Sequence, residues 1–120
     1  MTAALVGACL VSLSACGSDS ASEAPTAQQV VEAFQRDGLA VPNLRDNTAQ
    51  NCVQLGCVQL VTTDAVSVLS FADESAASTF AGKLGEGAHQ SGTIVLRYDA
   101  ARTPKDQRAK FESSLAGIAK

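Results

Sequence analysis

The side chains best suited to chemistry in this chain of 120 residues are four cysteines, a single histidine and a scatter of carboxylates. Cys52 and Cys57 are separated by four residues, among them Gly56, which would help the chain turn back. A redox-active pair usually takes the Cys-x-x-Cys spacing, so this pair fits that role poorly. A zinc site wants four ligands, and only His89 remains as a typical partner. A Ser-His-Asp relay would also have to use His89, yet no serine stands in a G-x-S-x-G turn. Gly85, Gly87 and Ala88 precede it, so the simpler reading is an exposed histidine in a flexible connection. Glycoside hydrolysis needs two carboxylates across a cleft; Asp64 reads better as a turn residue, Asp73 as a helix cap and Glu74 as part of a first helical turn. Asp99 follows the only tyrosine, and with Arg97 and Arg102 it forms a candidate interaction cluster, a surface ion pair being the simpler account. The glycine-rich stretch Gly82 to Gly87 sits at a helix end, whereas phosphate loops precede a helix N-terminus. The residues therefore name no catalytic group, no cofactor and no metal site.

A net charge of -3 gives no general attraction to nucleic acid. Arg97, Arg102, Lys105, Arg108 and Lys110 make the C-terminal third basic, which reads first as a solvated face and second as a docking patch for an acidic partner or for phospholipid headgroups. Aromatics are scarce, with no Trp and one Tyr, which argues against a stacking platform for sugars or bases. With 46% apolar residues the chain is not disordered throughout, but a small aliphatic core is a thin source of stability and a covalent staple would help it.

Residues 1–15 carry no charged side chain, and Ala3 to Leu13 form an apolar run. The run is shorter than the ~20 residues a spanning helix needs. Ending in small residues, it reads as an export leader. The string Leu13-Ser14-Ala15-Cys16 resembles the lipobox of bacterial lipoproteins, in which the cysteine thiol receives a diacylglycerol and a dedicated peptidase cuts just before it. The resemblance implies removal of 1–15, lipidation of Cys16, and a cell-membrane protein anchored on the extracytoplasmic face. Residues 16–25, mostly small and polar, then read as a tether. One feature departs from the pattern: leaders of this type begin with Lys or Arg, and the first basic residue here is Arg36, which leaves open a start upstream of Met1. The competing reading is an apolar core helix with a cysteine in it by chance.

Export favours the disulfide among the cysteine readings. Cys9 would leave with the leader and Cys16 would be lipidated, so Cys52 and Cys57 remain as an even pair in an oxidising compartment and are expected to form a disulfide.

The elements that must hold these residues read as one α+β domain over 26–120. Thr26 and Gln29 fit a capping box opening a helix with Val30, Val31 and Phe34 on one face, stopped at Gly38. Leu44 to Asn51 is polar and reads as loop. Strands are expected over 57–63 and 65–71, joined as a hairpin through Asp64. Asp73 caps a second helix, stopped by Gly85 and Gly87. A third strand covers 93–98, and Thr103 caps a last helix with Pro104 at its first position and Phe111, Leu115, Ile118 and Ala119 buried. The order α-β-β-α-β-α predicts a small antiparallel three-stranded sheet, the third strand beside the first, with helices on one face. The four phenylalanines read as core.

The segments Thr62 to Phe71 and Gly92 to Tyr98, with a cysteine pair ahead of the first strand, are similar to stretches of small actinobacterial lipoproteins. That resemblance spans roughly Thr26 to the end and implies an envelope location with no activity to carry over. The expected function is a membrane-anchored lipoprotein with a small non-enzymatic binding domain and an envelope partner; an exported enzyme inhibitor, presenting Leu44 to Cys57, or a small envelope enzyme is the alternative, and a purely structural role in the envelope is a further one.

Overall fold

The computed structural model describes residues 24–98 and 103–118. The leader, Cys9, Cys16, most of the tether, Asp99, Arg102 and Ala119 lie outside the described residues.

The chain opens with helix α1 (Ala27–Arg36), and the capping box is present: the Thr26 hydroxyl accepts from the Gln29 N–H and the Gln29 side chain accepts from the Thr26 N–H. Gly38 leaves the helix at φ +77, a left-handed geometry that glycine adopts without strain. Strand β1 (Arg45–Asp46) and helix α2 (Thr48–Leu55) follow, then β2 (Gln59–Thr62), β3 (Val66–Ser70), helix α3 (Glu74–Leu84), a 3-10 turn at Gly85–Gly87, β4 (Ala88–Ser91), β5 (Ile94–Tyr98) and helix α4 (Lys105–Ile118). Asp73 caps α3, its carboxylate accepting from the Ala76 N–H at 2.8 Å.

The class is α+β and every strand pair is antiparallel, but the sheet has five strands, in the order β1-β2-β3-β5-β4. The expected three-stranded sheet is corrected by two short edge strands. Part of the expected Leu44–Asn51 loop pairs with β2 as β1 and part starts α2. The expected flexible connection at His89 is β4, joined to β5 by the two-residue turn Gly92-Thr93. Gly92 has φ +60 and Thr93 does not have positive φ, the type II′ pattern whose twist suits a hairpin. β4 also moves the third expected strand: because it reverses the chain after α3, β5 lands beside β3 and not beside β2.

Helices lie on both faces, which corrects the one-sided packing expected from the sequence. Val61, Val66, Val68, Ile94, Leu96 and Tyr98 meet α1 and α4 on one face, where Phe34 and Phe111 are fully buried with ring centroids 4.8 Å apart. Alternate residues Leu60, Leu69 and Val95 meet Cys52 of α2 and Ala77 of α3 on the other, beside Phe71 and Phe80 at 5.3 Å. Side chains alternate across a strand, so runs such as Ile94-Val95-Leu96 are apolar because both sides are covered.

Thr103 does not cap α4. Its buried hydroxyl donates to the Ala65 carbonyl at 2.6 Å, pinning the β2–β3 hairpin tip to the start of the helix. On the other side of that tip the Asp64 N–H donates to the Pro42 carbonyl at 2.9 Å, and Arg45 lies 3.4 Å from the Asp64 carboxylate.

Candidate functional site

Two places gather reactive or polar side chains. The first is the corner where α2 ends. Asn47 stands before α2, its amide oxygen buried without a partner, and Asp46 substitutes for the missing cap by accepting from the Thr48 N–H at 3.0 Å. Hydrogen bonds from the Thr48 hydroxyl and N–H hold the fully exposed Asp46 carboxyl below its ordinary range. The Thr48 hydroxyl also accepts from the Leu60 N–H at 2.9 Å, fastening α2 to β2. Gly56 then takes φ +79 and turns the chain, and Cys52 and Cys57 are joined in a disulfide with their Cα atoms 4.7 Å apart. The bridge closes over Leu60 and Leu69, so it belongs to the core of that face.

The second place lies on the opposite face, between the β4 edge and α4. The Tyr98 hydroxyl donates to Glu112 Oε2 at 3.0 Å, and His89 Nδ1 lies 3.8 Å from Glu112 Oε1. Arg108 places its guanidinium 5.0 Å from the centre of the Tyr98 ring and donates through Nε to the Thr103 carbonyl at 3.0 Å. Burial is the main reason the Tyr98 phenol is pushed far above its ordinary value; the bond to Glu112 and the charge of that carboxylate add to it, and Arg108 opposes it. The phenol is thus fixed as a hydrogen-bond donor. The His89–Glu112 contact becomes an ion pair when the imidazole is protonated, and with both side chains about a third exposed such a pair is worth at most ~1 kcal/mol. This arrangement ties an edge strand to a helix.

Of the candidate interaction residues, the structure separates Arg97 from both places. Arg97 is exposed and follows Leu96 and precedes Tyr98, so it emerges on the α2/α3 face while Tyr98 enters the other. Asp99 and Arg102 lie outside the described residues. Arg97 and Arg108 therefore do not share one patch: Arg108 packs on Tyr98, one sheet thickness from Arg97. Glu112 is the residue that sequence reasoning missed. Its signal is a spacing of four from Arg108, which places both beside the Phe111 and Leu115 stripe, facing the inward-pointing Tyr98. Among the described residues no three of His, Cys, Asp and Glu gather as metal ligands, and no helix is long and apolar enough to cross a membrane.

Comparison of the chain with protein-family models, with curated proteins and with solved structures finds no match.

Proposed function

We propose that this chain is an exported lipoprotein, cut before Cys16, held by a lipid on that cysteine to the extracytoplasmic face of the cell membrane, and that its α+β domain is a small non-enzymatic binding module acting on an envelope partner. The observation that carries the reading is the Cys52–Cys57 disulfide. Such bonds persist in oxidising compartments and are rare where thiols are kept reduced. It stands with the apolar run ending in Leu13-Ser14-Ala15-Cys16. The same reading names no catalytic residue, cofactor or metal ligand.

The alternative of a small envelope enzyme finds its support in the His89–Glu112–Tyr98 cluster, where a carboxylate joins an imidazole and a phenol. That of an enzyme inhibitor changes its terms, since the segment it would present is strand β1 and helix α2 and not a loop.

The test is the intact mass of the protein taken unreduced from a bacterial membrane fraction. The expected mass is that of a chain beginning at Cys16 plus a diacylglycerol, less the hydrogens lost to a disulfide. A C16A variant is expected to leave the membrane fraction. An uncleaved, unlipidated chain with free thiols overturns the reading.

A further inference from the structure

The geometry points to the disulfide corner as a membrane-contact surface: Val53 and Val58 rest at the headgroup–acyl boundary of the bilayer that holds the lipid anchor. The inference rests on the lipoprotein reading and names the surface the domain turns toward the membrane. Val53 and Val58 are 91% and 58% exposed, the two most exposed large apolar side chains of the described residues. Each directly follows a bridged cysteine, so the disulfide fixes both on one short turn. From Asn47 to Thr63 the chain carries no charged side chain, although 18% of the whole sequence is charged. The charged residues that bracket this run, Arg45, Asp46 and Asp64, lie at the far end of β2.

The path of the chain says what meets this corner. The Gln28 N–H at the start of α1 donates to Gln59 Oε1 at 2.9 Å, so the chain enters the domain beside Val58. Cys16 precedes Ala24, the first described residue, by eight positions. Even fully extended, that length spans at most about 30 Å. A lipid at Cys16 therefore keeps the corner near the bilayer at high effective concentration, so that a modest apolar contact is enough to hold it there. Binding of this kind scales with apolar area entering the boundary region. A surface already rigid loses little conformational freedom on docking. Asp73 and Glu74 begin α3 at the same end of the sheet, so the contact is apolar and not an attraction to anionic headgroups.

The chain contains no Trp, which makes single-Trp reporters clean. The full lipidated chain is placed in phosphatidylcholine vesicles whose acyl chains carry bromine near the headgroup. One reporter is Q54W at the corner, and the other is K105W at the opposite end; both native side chains are exposed. Quenching of Q54W is expected to exceed that of K105W by about twofold or more, and to survive about 0.5 M salt because no charge pairing is involved. Adding V53D and V58D to Q54W is expected to lower its quenching to the K105W level with the circular dichroism unchanged. Equal quenching of the two reporters, or quenching of Q54W that ignores V53D and V58D, overturns the inference. An emission shift of Q54W in native membranes without quenching in the vesicles overturns it in favour of a protein contact. The intact mass of the same sample separates the two claims: a missing diacylglycerol sinks the lipoprotein reading and this inference with it, whereas a diacylglycerol with an unquenched corner sinks this inference alone.

Discussion

On one face of the sheet α1 and α4 bury Phe34 and Phe111 completely; on the other, α2 and α3 leave Phe80 half-buried and depend on Cys52–Cys57 to close the corner. The first face is held by two helices that each bury several side chains in it. The second is held by an eight-residue helix with one buried side chain and by α3, which also buries only one, Ala77. A short helix is marginal by itself, so a covalent bond supplies what apolar area does not. The two faces thus divide the labour of a small domain: one is a hydrophobic core and the other is a stapled cover.

The strongest way to break that comparison is to truncate an aromatic on each side. F111A is expected to cost about 3–5 kcal/mol, and F80A about half as much, both read by urea unfolding. Equal losses would mean that the faces share the core evenly. The next effect in size is removal of the staple. C52A/C57A is expected to cost about 2 kcal/mol from the short closed loop, with faster amide exchange in α2 and little change in α1 and α4. Acceleration across both helix pairs would show that the sheet transmits the loss and that the faces are one cooperative unit.

A smaller effect sharpens the first face. Y98F removes the bond to Glu112 and is expected to cost about 1 kcal/mol at neutral pH. Because folding holds the phenol above its ordinary value of 10.0, its contribution is complete below that pH and is lost as the pH rises above it, when the unfolded chain ionises first. The alkaline fall in melting temperature is therefore expected to be shallower in Y98F than in the native chain. A fall of equal steepness in the two proteins would remove Tyr98 as its cause. The smallest effect is that of R45Q at the hairpin tip, at most about 0.5 kcal/mol for an exposed pair. A larger loss would mean that the Asp64 contact positions β1.

The three long helices and the three inner strands were legible in the sequence because each follows its own period; α1, α3 and the β2–β3 hairpin also carry their own cap or turn in Thr26 with Gln29, Gly38, Asp73 and Asp64, whereas α4 shows only its Phe111, Leu115 and Ile118 stripe. What was not legible lacks local signal. Ala88-His89-Gln90-Ser91 has no Val, Ile, Thr, Tyr, Phe or Trp and becomes a strand only by pairing with β5. Thr48–Leu55 buries a single residue and is helical in the company of Leu60, Leu69 and the disulfide. The two-sided packing did leave a trace, since Leu60-Val61, Val68-Leu69 and Ile94-Val95-Leu96 offer apolar side chains to both faces, a pattern that three alternating strands with one wet face would not need. At the candidate sites the cysteine pairing was readable from the cysteine count together with the expected export. Glu112 was not, because its partners come from two strands whose relative positions depend on β4.

The place of β5 has a consequence for the order in which the protein can be completed. The strand that sits between β3 and β4 is the last of the five in the chain, and the helix that covers Phe34 comes after it. Residues 27–70, emerging first, bring together β1, β2 and β3 with α1 and α2, but the α2/α3 face waits for Phe80 and Val95, and the α1/α4 face for Tyr98 and then Phe111. Such late, distant contacts slow folding. Under the proposed export, in which the chain is threaded through a membrane from its N-terminus, this topology defers the native state until nearly all of it has arrived on the far side.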